Sequence, residues 1–204
     1  TLIAMPSLEP LDIDCILLAA GESLRMGRPK QLLELGGKPL VLHALETALA
    51  ACRRVFVVQG AVELSGIIPS DGRVSLVSNP AYRDGQLGSL KRGLEAAACE
   101  KAFIMLADLP LLEAATYRRV AAYGKSSSAA YPVCEGRRGH PVYIAKEAIA
   151  LLMNASPDRR AMRVIAPLAL EEVELEDSGI FLDADTPESW EELRSRYLEM
   201  REGS

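Results

Sequence analysis

The chain has 204 residues, a hydrophobic content of 49% and a formal net charge of -5. That length and apolar content are enough for one α/β domain with a single core. A net-acidic composition excludes a broad nucleic-acid-binding face, and no apolar run reaches the ~20 residues that a membrane-spanning helix needs. We therefore predict a cytoplasmic protein that binds neither nucleic acid nor membrane. Residues 1–12 hold two prolines and no clear period, so we predict a leader of unknown role before a domain of residues 13–204.

Short apolar runs bounded by turn residues alternate with longer segments of helical spacing. Runs rich in Val, Ile and aromatic residues predict buried strands, and the longer segments predict amphipathic helices. In chain order, the predicted elements are a strand at 15–20, a helix at 39–51, strands at 54–59 and 73–78, a helix at 88–98, a strand at 102–107, a helix at 113–123, strands at 128–133 and 141–145, and helices at 145–153 and 187–200.

This alternation predicts an α/β fold: one Rossmann-like, three-layer αβα sandwich with a mostly parallel sheet. The region 126–183 has shorter apolar runs, so we predict a small antiparallel addition there, at the sheet edge. The acidic run EEVELEDSG at 171–179 is typical of a solvated edge strand. In such sheets, ligands bind beyond the carboxyl ends of the strands.

The stretch LLAAGESLRMGRPK joins the first strand to a loop that carries positive charge. Ala19, Ala20 and Gly21 allow a ligand to approach the backbone closely, and peptide N–H groups of such a turn can bind anionic oxygens. Arg25 and Lys30 add cationic side chains. Amides together with cations are typical of a polyphosphate site. The loop matches neither GxxxxGK[ST] nor GxGxxG, so neither common phosphate motif explains it.

The order AAGESLRMGRPK after a first strand resembles the signature of the MobA-like nucleotidyltransferase family. The continuation RPKQLLELGGKPLVLH is similar to its molybdenum cofactor cytidylyltransferase branch. The resemblance implies a fold like that of nucleotide-diphospho-sugar transferases. It also implies that NPAYRDGQLGSLKRGLEAA, at 79–97, lines a nucleotide pocket. The nucleotide-binding residues that we predict are Leu18, Ala19, Ala20, Gly21, Ser23, Arg25, Lys30, Asn79, Gly88 and Ser89.

Three aspartates are the predicted metal ligands. Asp108 falls at the carboxyl end of the strand in FIMLADLPLL, which is similar to the family's strand-end aspartate. The segment FLDADTPESWEEL resembles the family's acidic ending, and its Asp183 and Asp185 are spaced to lie on one side of an extended segment. Either one is predicted to bind Mg²⁺ together with Asp108, and the spacing does not decide between them. Alternatively, Asp185 and Thr186 cap the last helix.

The turn RRGHPV resembles the acceptor-facing turn of the cytidylyltransferase branch, which implies that Arg138, Gly139, His140 and Pro141 bind the acceptor. His140 lies in a Gly-containing turn, a poor place for a core histidine. The chain departs from the family at 156–164, where SPDRRAMRV keeps only Asp158 and Arg159 of a glycine-flanked Asp-Arg stretch.

The resemblance implies transfer of CMP from CTP to the terminal phosphate of molybdopterin or its molybdenum-bound form. In that mechanism Arg25 binds the departing β and γ phosphates and Lys30 binds the α phosphate, so both are predicted catalytic residues. Alternatives with the same fold are a guanylyltransferase or an enzyme that uses a sugar phosphate or phosphocholine. A non-catalytic protein that delivers finished cofactor to a molybdenum hydroxylase is an alternative of another class. A molybdenum hydroxylase or its chaperone is a candidate partner of the enzyme as well.

Overall fold

The computed structural model describes residues 9–23 and 27–202. Its helices and strands follow the predicted alternation. In chain order they are β1 (Asp14–Ala19), β2 (Glu34–Leu35), β3 (Lys38–Pro39), α1 (Leu40–Ala51), β4 (Val55–Gln59), β5 (Val74–Ser78), α2 (Gln86–Ala97), β6 (Lys101–Leu106), α3 (Ala114–Gly124), β7 (Ala129–Cys134), β8 (Arg137–Arg138), β9 (Val142–Ala145), α4 (Lys146–Asn154), α5 (Ala161–Ile165), β10 (Leu170–Glu174) and α6 (Pro187–Glu202).

The main sheet has the strand order β10-β7-β9-β6-β1-β4-β5, and β8 pairs with β7. Strands β6, β1, β4 and β5 run parallel to one another, and β10 runs parallel to β7. The mostly parallel sheet is therefore confirmed. Strand β9 runs antiparallel to both β6 and β7. The strands of 126–183, which are β7, β8, β9 and β10, form one end of the sheet, so the predicted antiparallel addition at the edge is confirmed, and β9 itself lies inside the sheet between β6 and β7.

Strand β9 takes its internal position for two physical reasons. Only seven residues, 135–141, join it to β7, and a short connection can join antiparallel neighbours but not parallel ones. The first three residues of β9 are buried hydrophobics, so the strand can be covered on both faces. One edge of the sheet is β10, where Glu171, Glu172 and Glu174 are exposed and Val173 is buried, which confirms the predicted solvated edge strand.

Side chains of β1 alternate between two apolar layers, as the two-residue period of a strand requires. Cys15 and Leu17 pack in the layer that holds α1 and α3, and Ile16 packs with α2 and α4. All six residues of β1 are buried, which is typical of a central parallel strand. Gly93 lets α2 approach the sheet, because a Cβ atom there would lie 2.3 Å from Ile16 Cγ2.

All five predicted helices are present, and α5 together with the two-residue strands β2, β3 and β8 was not predicted. A third apolar cluster, which includes Leu40, Trp190 and Leu193, packs α6 against the segment before α1. Leu11 forms a parallel bridge with Cys52, and residues 1–8 lie outside the described part of the chain. Within the described ranges, no helix has the length and apolarity to cross a membrane.

Candidate active site

The candidate site lies beyond the carboxyl ends of the neighbouring inner strands β1 and β6. Because the two strands are parallel and adjacent, their carboxyl ends bring the turn after β1 next to Asp108, two residues beyond β6. A cavity of about 190 Å³ opens there. Six of the predicted nucleotide-binding residues line it: Leu18, Ala19, Ala20, Gly21, Lys30 and Ser89. The metal candidate Asp108 also lines it, together with Gln31, Tyr82, Gln86, Leu106 and Ala107.

Lys30 occupies the centre of the charged part of this site. Its Nζ donates to Oδ2 of Asp108 and, at 2.5 Å, to Oδ1 of Asp185. The Lys30 side chain is 23% exposed and that of Asp108 only 7%. Desolvation lowers the pKa of Lys30, but the two carboxylates outweigh it, so the pKa is raised above its ordinary value. The ammonium is therefore charged near neutral pH and available to bind an anion.

Asp183 lies near the same charges but makes a different contact. Its Oδ1 accepts the backbone N–H of Asp185 at 3.2 Å. Burial and then the neighbouring Asp108 and Asp185 raise the pKa of its carboxyl group. The cap of α6 belongs to Thr186, because Ser189 N–H donates to Thr186 Oγ1 at 3.2 Å, while the Asp185 carboxylate binds Lys30. Of the two residues that the alternative assigned to the helix cap, Thr186 caps α6 and Asp185 does not.

The donor set suits a hard cation such as Mg²⁺, although the geometry is not a complete protein cage. Among residues 9–23 and 27–202, no three His, Cys, Asp or Glu side chains are grouped to hold a metal ion. Two carboxylates, those of Asp108 and Asp185, converge on one positive centre, the Lys30 ammonium. Mg²⁺ is usually bound by one or two carboxylates with water and substrate phosphates, so these two residues fit it.

Asn79, Ser89 and Gly88 differ in their relation to the cavity. Asn79 is buried and its Nδ2 donates to Ser89 Oγ at 2.9 Å, so it supports the Ser89 side chain that lines the cavity. Gly88 faces another part of the molecule, because a Cβ there would lie 3.3 Å from Cβ of Pro157. Of the other predicted nucleotide-binding residues, Ser23 accepts the backbone N–H of Lys30 at 3.0 Å, and Arg25 lies outside the described residues.

A second cavity, of about 420 Å³, shares three wall residues with the first: Leu18, Gln86 and Leu106. His140 is in its wall, and burial lowers the pKa of His140 to about 4, so its imidazole is neutral near pH 7. The rest of the wall combines apolar side chains with charged residues of 156–164, the segment in which this chain differs from the family pattern. These wall residues are Leu87, Leu90, Ile104, Val142, Asp158, Arg159, Arg160, Ala161 and Met162.

The other predicted acceptor-binding residues are not in the wall of either cavity. Arg138 pairs with Glu172 at 2.9 Å, and its guanidinium lies 4.9 Å from the centroid of the Tyr131 ring. Gly139 fits closely against Ile180, since a Cβ there would lie 2.5 Å from Ile180 atoms. Pro141 follows His140 through a cis peptide bond. The structure thus brings His140 to the cavity wall and leaves Arg138 and Gly139 in contacts with neighbouring segments.

Several residues at the site were not singled out by the sequence. Glu22 Oε1 accepts the Tyr82 hydroxyl at 2.9 Å and Nε of Arg83 at 2.7 Å, which joins the turn after β1 to the segment after β5. Gln31 is buried and binds the same turn. A buried glutamine in a polar loop follows no period, so the sequence carried no signal for it. Gln86 lines both cavities at the start of α2.

Comparison with known proteins places this geometry among nucleotidyltransferases. The family model described as "MobA-like NTP transferase domain" matches residues 15–174. The molybdenum cofactor cytidylyltransferase of Escherichia coli (strain K12) is 30% identical over 193 residues, which are 92% of this chain and 98% of that protein. The molybdenum cofactor guanylyltransferase of Xanthomonas euvesicatoria pv. vesicatoria (strain 85-10) is 29% identical over 87% of this chain and 92% of its own.

A solved structure has the same architecture over nearly the whole chain. It is the homologue of Mycobacterium tuberculosis Rv0371c from Mycobacterium sp. strain JC1, with a TM-score of 0.79 and 26% sequence identity. The match covers 92% of this chain and 98% of the other. The order of strands and helices described above is therefore a shared fold, within which the two cavities lie.

Proposed function

Because the chain belongs to the MobA-like NTP transferase family, we propose that it transfers CMP from CTP to the terminal phosphate of molybdopterin, or of its molybdenum-bound form, and releases pyrophosphate. The observation that carries the proposal is the position of Lys30. Its ammonium lies between two carboxylates at the carboxyl edge of the sheet, in the wall of the cavity that the Ala19–Gly21 turn also lines.

Two adjoining cavities support a reaction between two bound molecules. The cavity at the turn has the small residues and the cation that suit a triphosphate. The cavity at His140 has apolar walls with Asp158, Arg159 and Arg160, which suit a flat heterocycle with an anionic tail. The shared wall residues bring the two close enough for an acceptor phosphate to approach the α phosphate.

The chain's own residues contribute mainly position and charge. Attack on the α phosphorus places negative charge on the non-bridging and leaving oxygens, and a cation fixed nearby lowers the barrier. Lys30 provides that cation, and Asp108 and Asp185 hold it in place. We assign Arg25 to the β and γ phosphates, on the resemblance of AAGESLRMG to the family signature. Neutral His140 can accept or donate one hydrogen bond to the acceptor without adding charge.

We include Mg²⁺ in the proposal. Asp108 and Asp185 would hold the ion, Asp183 lies beside them as a further candidate, and the ion when bound would neutralise phosphate charge.

The cysteines agree with a cytoplasmic enzyme: all four, each within the described ranges, are free thiols, and three of them are buried. A molybdenum hydroxylase or its chaperone remains our candidate for the protein that receives the product.

An assay of pyrophosphate release tests the proposal. The purified protein is given Mg²⁺, molybdopterin and one of CTP, GTP, ATP or UTP, and we expect the highest kcat/KM with CTP. Faster release with GTP would assign the chain to guanylyl transfer. Release with a sugar phosphate or phosphocholine in place of molybdopterin would change the acceptor. Nucleotide binding without any pyrophosphate release would instead favour a cofactor-delivery protein.

A further inference from the structure

A buried glutamine holds the turn that lines the first cavity. Gln31 is 3% exposed and lies in a short 3₁₀ helix, Lys30–Leu32. Its Nε2 donates to the carbonyl oxygen of Ala19 at 3.2 Å and to that of Gly21 at 3.1 Å. Its Oε1 accepts the hydroxyl of Ser23 at 3.3 Å. Three of the four hydrogen bonds available to this side-chain amide are therefore directed at one turn.

The carbonyl group of Ala20, between those of Ala19 and Gly21, is bound by a different segment. Ala20 O accepts the N–H of Ala61 at 3.1 Å. In a planar trans peptide the N–H points away from the C=O, so a fixed carbonyl also fixes the direction of the following N–H. With the carbonyls of residues 19–21 bound, the N–H groups of residues 20–22 are held in one orientation. These are the amides that the turn offers to an anion.

The same network extends to the backbone of Lys30. Ser23 has a φ of 57°, in the left-handed region that few residues other than glycine adopt. Its hydroxyl oxygen accepts Lys30 N–H at 3.0 Å and its hydroxyl donates to Gln31. Such a backbone conformation persists where the surrounding contacts enforce it, and here both contacts come from the segment that carries the catalytic lysine.

We propose that Gln31 is a positioning residue, which turns the carbonyl oxygens of residues 19 and 21 toward its own amide and so keeps the N–H groups of the turn directed at the triphosphate. The inference rests on the proposed function. Carbonyl oxygens left unbound would be free to rotate toward the phosphates, where they repel the anion. Gln31 thereby sets the path of the triphosphate relative to Lys30 without touching the reacting atoms.

Two substitutions separate this role from a simple loss of stability. Gln31→Glu keeps the shape but replaces two donors with an oxygen that faces two carbonyl oxygens. Gln31→Met keeps the length without charge. The matched control is Gln59→Met. Gln59 is 5% exposed, its Nε2 donates to Ser78 and Glu63, its Oε1 accepts Leu64 N–H, and it is absent from the wall of the site cavity.

The readouts are the Kd for CTP with Mg²⁺ and for inorganic pyrophosphate by calorimetry, the Tm, and kcat with KM. We expect Gln31→Met to weaken both Kd values by about tenfold, Gln31→Glu to weaken them further, and both to lower kcat at saturating CTP. The Tm of Gln31→Met should fall no further than that of Gln59→Met, which should bind ligands as the wild type does.

The outcomes distinguish this inference from the proposed function. A Gln31→Met protein that binds CTP and pyrophosphate with wild-type affinity overturns the role of Gln31 alone. An equal loss of binding in Gln59→Met also overturns it, because a general loss of stability would then explain both variants. A wild-type protein that binds neither a nucleoside triphosphate nor pyrophosphate defeats both proposals.

Discussion

A buried aspartate lies near each end of strand β1, Asp14 at the amino end and Asp108 beyond the carboxyl end, yet the two arrangements differ. At the amino end, Asp14 is fully buried and accepts four hydrogen bonds, two from Arg53 and two from Arg54. Burial raises the pKa of Asp14, but the arginines outweigh it and the pKa is lowered. Arg53 also pairs with Asp12, and Arg54 also donates to Ala97 O, so this network is closed on itself.

At the carboxyl end the charged side chains lie beside a cavity. Among the described residues, the carboxylates of Asp108 and Asp185 contact the ammonium of Lys30, and the carboxylate of Asp183 lies near them. Lys30 and Asp108 also form part of a cavity wall, whereas Asp14 lines none of the cavities described above. Charged side chains in the wall of an open cavity are typical of a ligand-binding site.

The comparison assigns the charged residues near the amino end of β1 to stability and those near its carboxyl end to the reaction. The amino end satisfies its charges within the protein, as expected of contacts that hold the sheet together. The carboxyl end leaves charge facing a cavity, at the edge where α/β sheets bind their ligands. Substitutions at the amino end should therefore change the free energy of unfolding and not the reaction, and substitutions at the carboxyl end should do the opposite.

The largest effect is expected for Lys30→Ala. It removes the cation that stabilises charge developing on the α phosphate, so we expect kcat to fall by about 10²-fold or more while the protein stays folded. Lys146→Ala is the matched control, because Lys146 pairs with Glu100 near the amino end of β6, on the opposite edge of the sheet. Steady-state kinetics and circular dichroism measure both. Wild-type kcat in Lys30→Ala would remove Lys30 from the mechanism.

The next effect is on stability. Asp14→Asn removes the charge that four arginine hydrogen bonds share, so we expect the free energy of unfolding to fall by about 2 kcal/mol, with kcat unchanged. Urea denaturation with kinetics on the same samples measures both. A fall in kcat without a change in unfolding would reverse the assignment of the two ends.

The loss in Asp14→Asn should depend on pH. The pKa of Asp14 is lower in the folded than in the unfolded protein. Its carboxylate therefore stabilises the fold above its unfolded pKa of about 3.9, and this stabilisation is lost as the pH falls through the folded-state pKa. The difference between wild type and variant should be constant from about pH 5 to 7 and should shrink below about pH 4. A difference that stayed constant at low pH would mean that the charge of Asp14 is not the cause.

The smallest effect is expected for Gly21→Ala. A Cβ at Gly21 meets no atom of residues 9–23 and 27–202 within 4 Å and the backbone is not left-handed, so the variant should be as stable as the wild type or slightly more so. The methyl group would instead occupy space beside the cavity, and we expect CTP affinity to fall by about tenfold. Gly72→Ala is the control, since Gly72 is equally open and precedes β5 at the amino edge. Equal CTP affinity in the two variants would contradict close approach at Gly21.

The sequence predicted the parts of the fold that depend on local pattern. Apolar runs in the sequence predict the buried strands β1 and β6, and a run of acidic residues predicts the solvated edge strand β10. The sequence did not predict that β9 lies between β6 and β7. The order of strands in a sheet depends on which other elements cover each face of a strand, and a local pattern does not record this. The two-residue strands are too short to have a period at all.

For the site, the sequence predicted the residues that lie at strand ends and not the contacts that hold them. Lys30 and Asp108 were predicted and do meet. Gln31 was missed because its role comes from three hydrogen bonds to a turn that folds back on it. The assignment of Arg138 to the acceptor stays a prediction, and the sequence did not predict its pair with Glu172, a partner 34 residues away that only the folded sheet brings near.

The most direct test of nucleotidyl transfer at this site follows the phosphorus atom of CTP. The wild-type protein is incubated with Mg²⁺, molybdopterin and CTP labelled either at the α or at the γ phosphate, and the products are separated. We predict that α label enters the molybdopterin product and γ label appears only in pyrophosphate, with both transfers reduced at least about 10²-fold in Lys30→Ala. Transfer of γ label to the acceptor, or equal transfer by Lys30→Ala, would contradict the account.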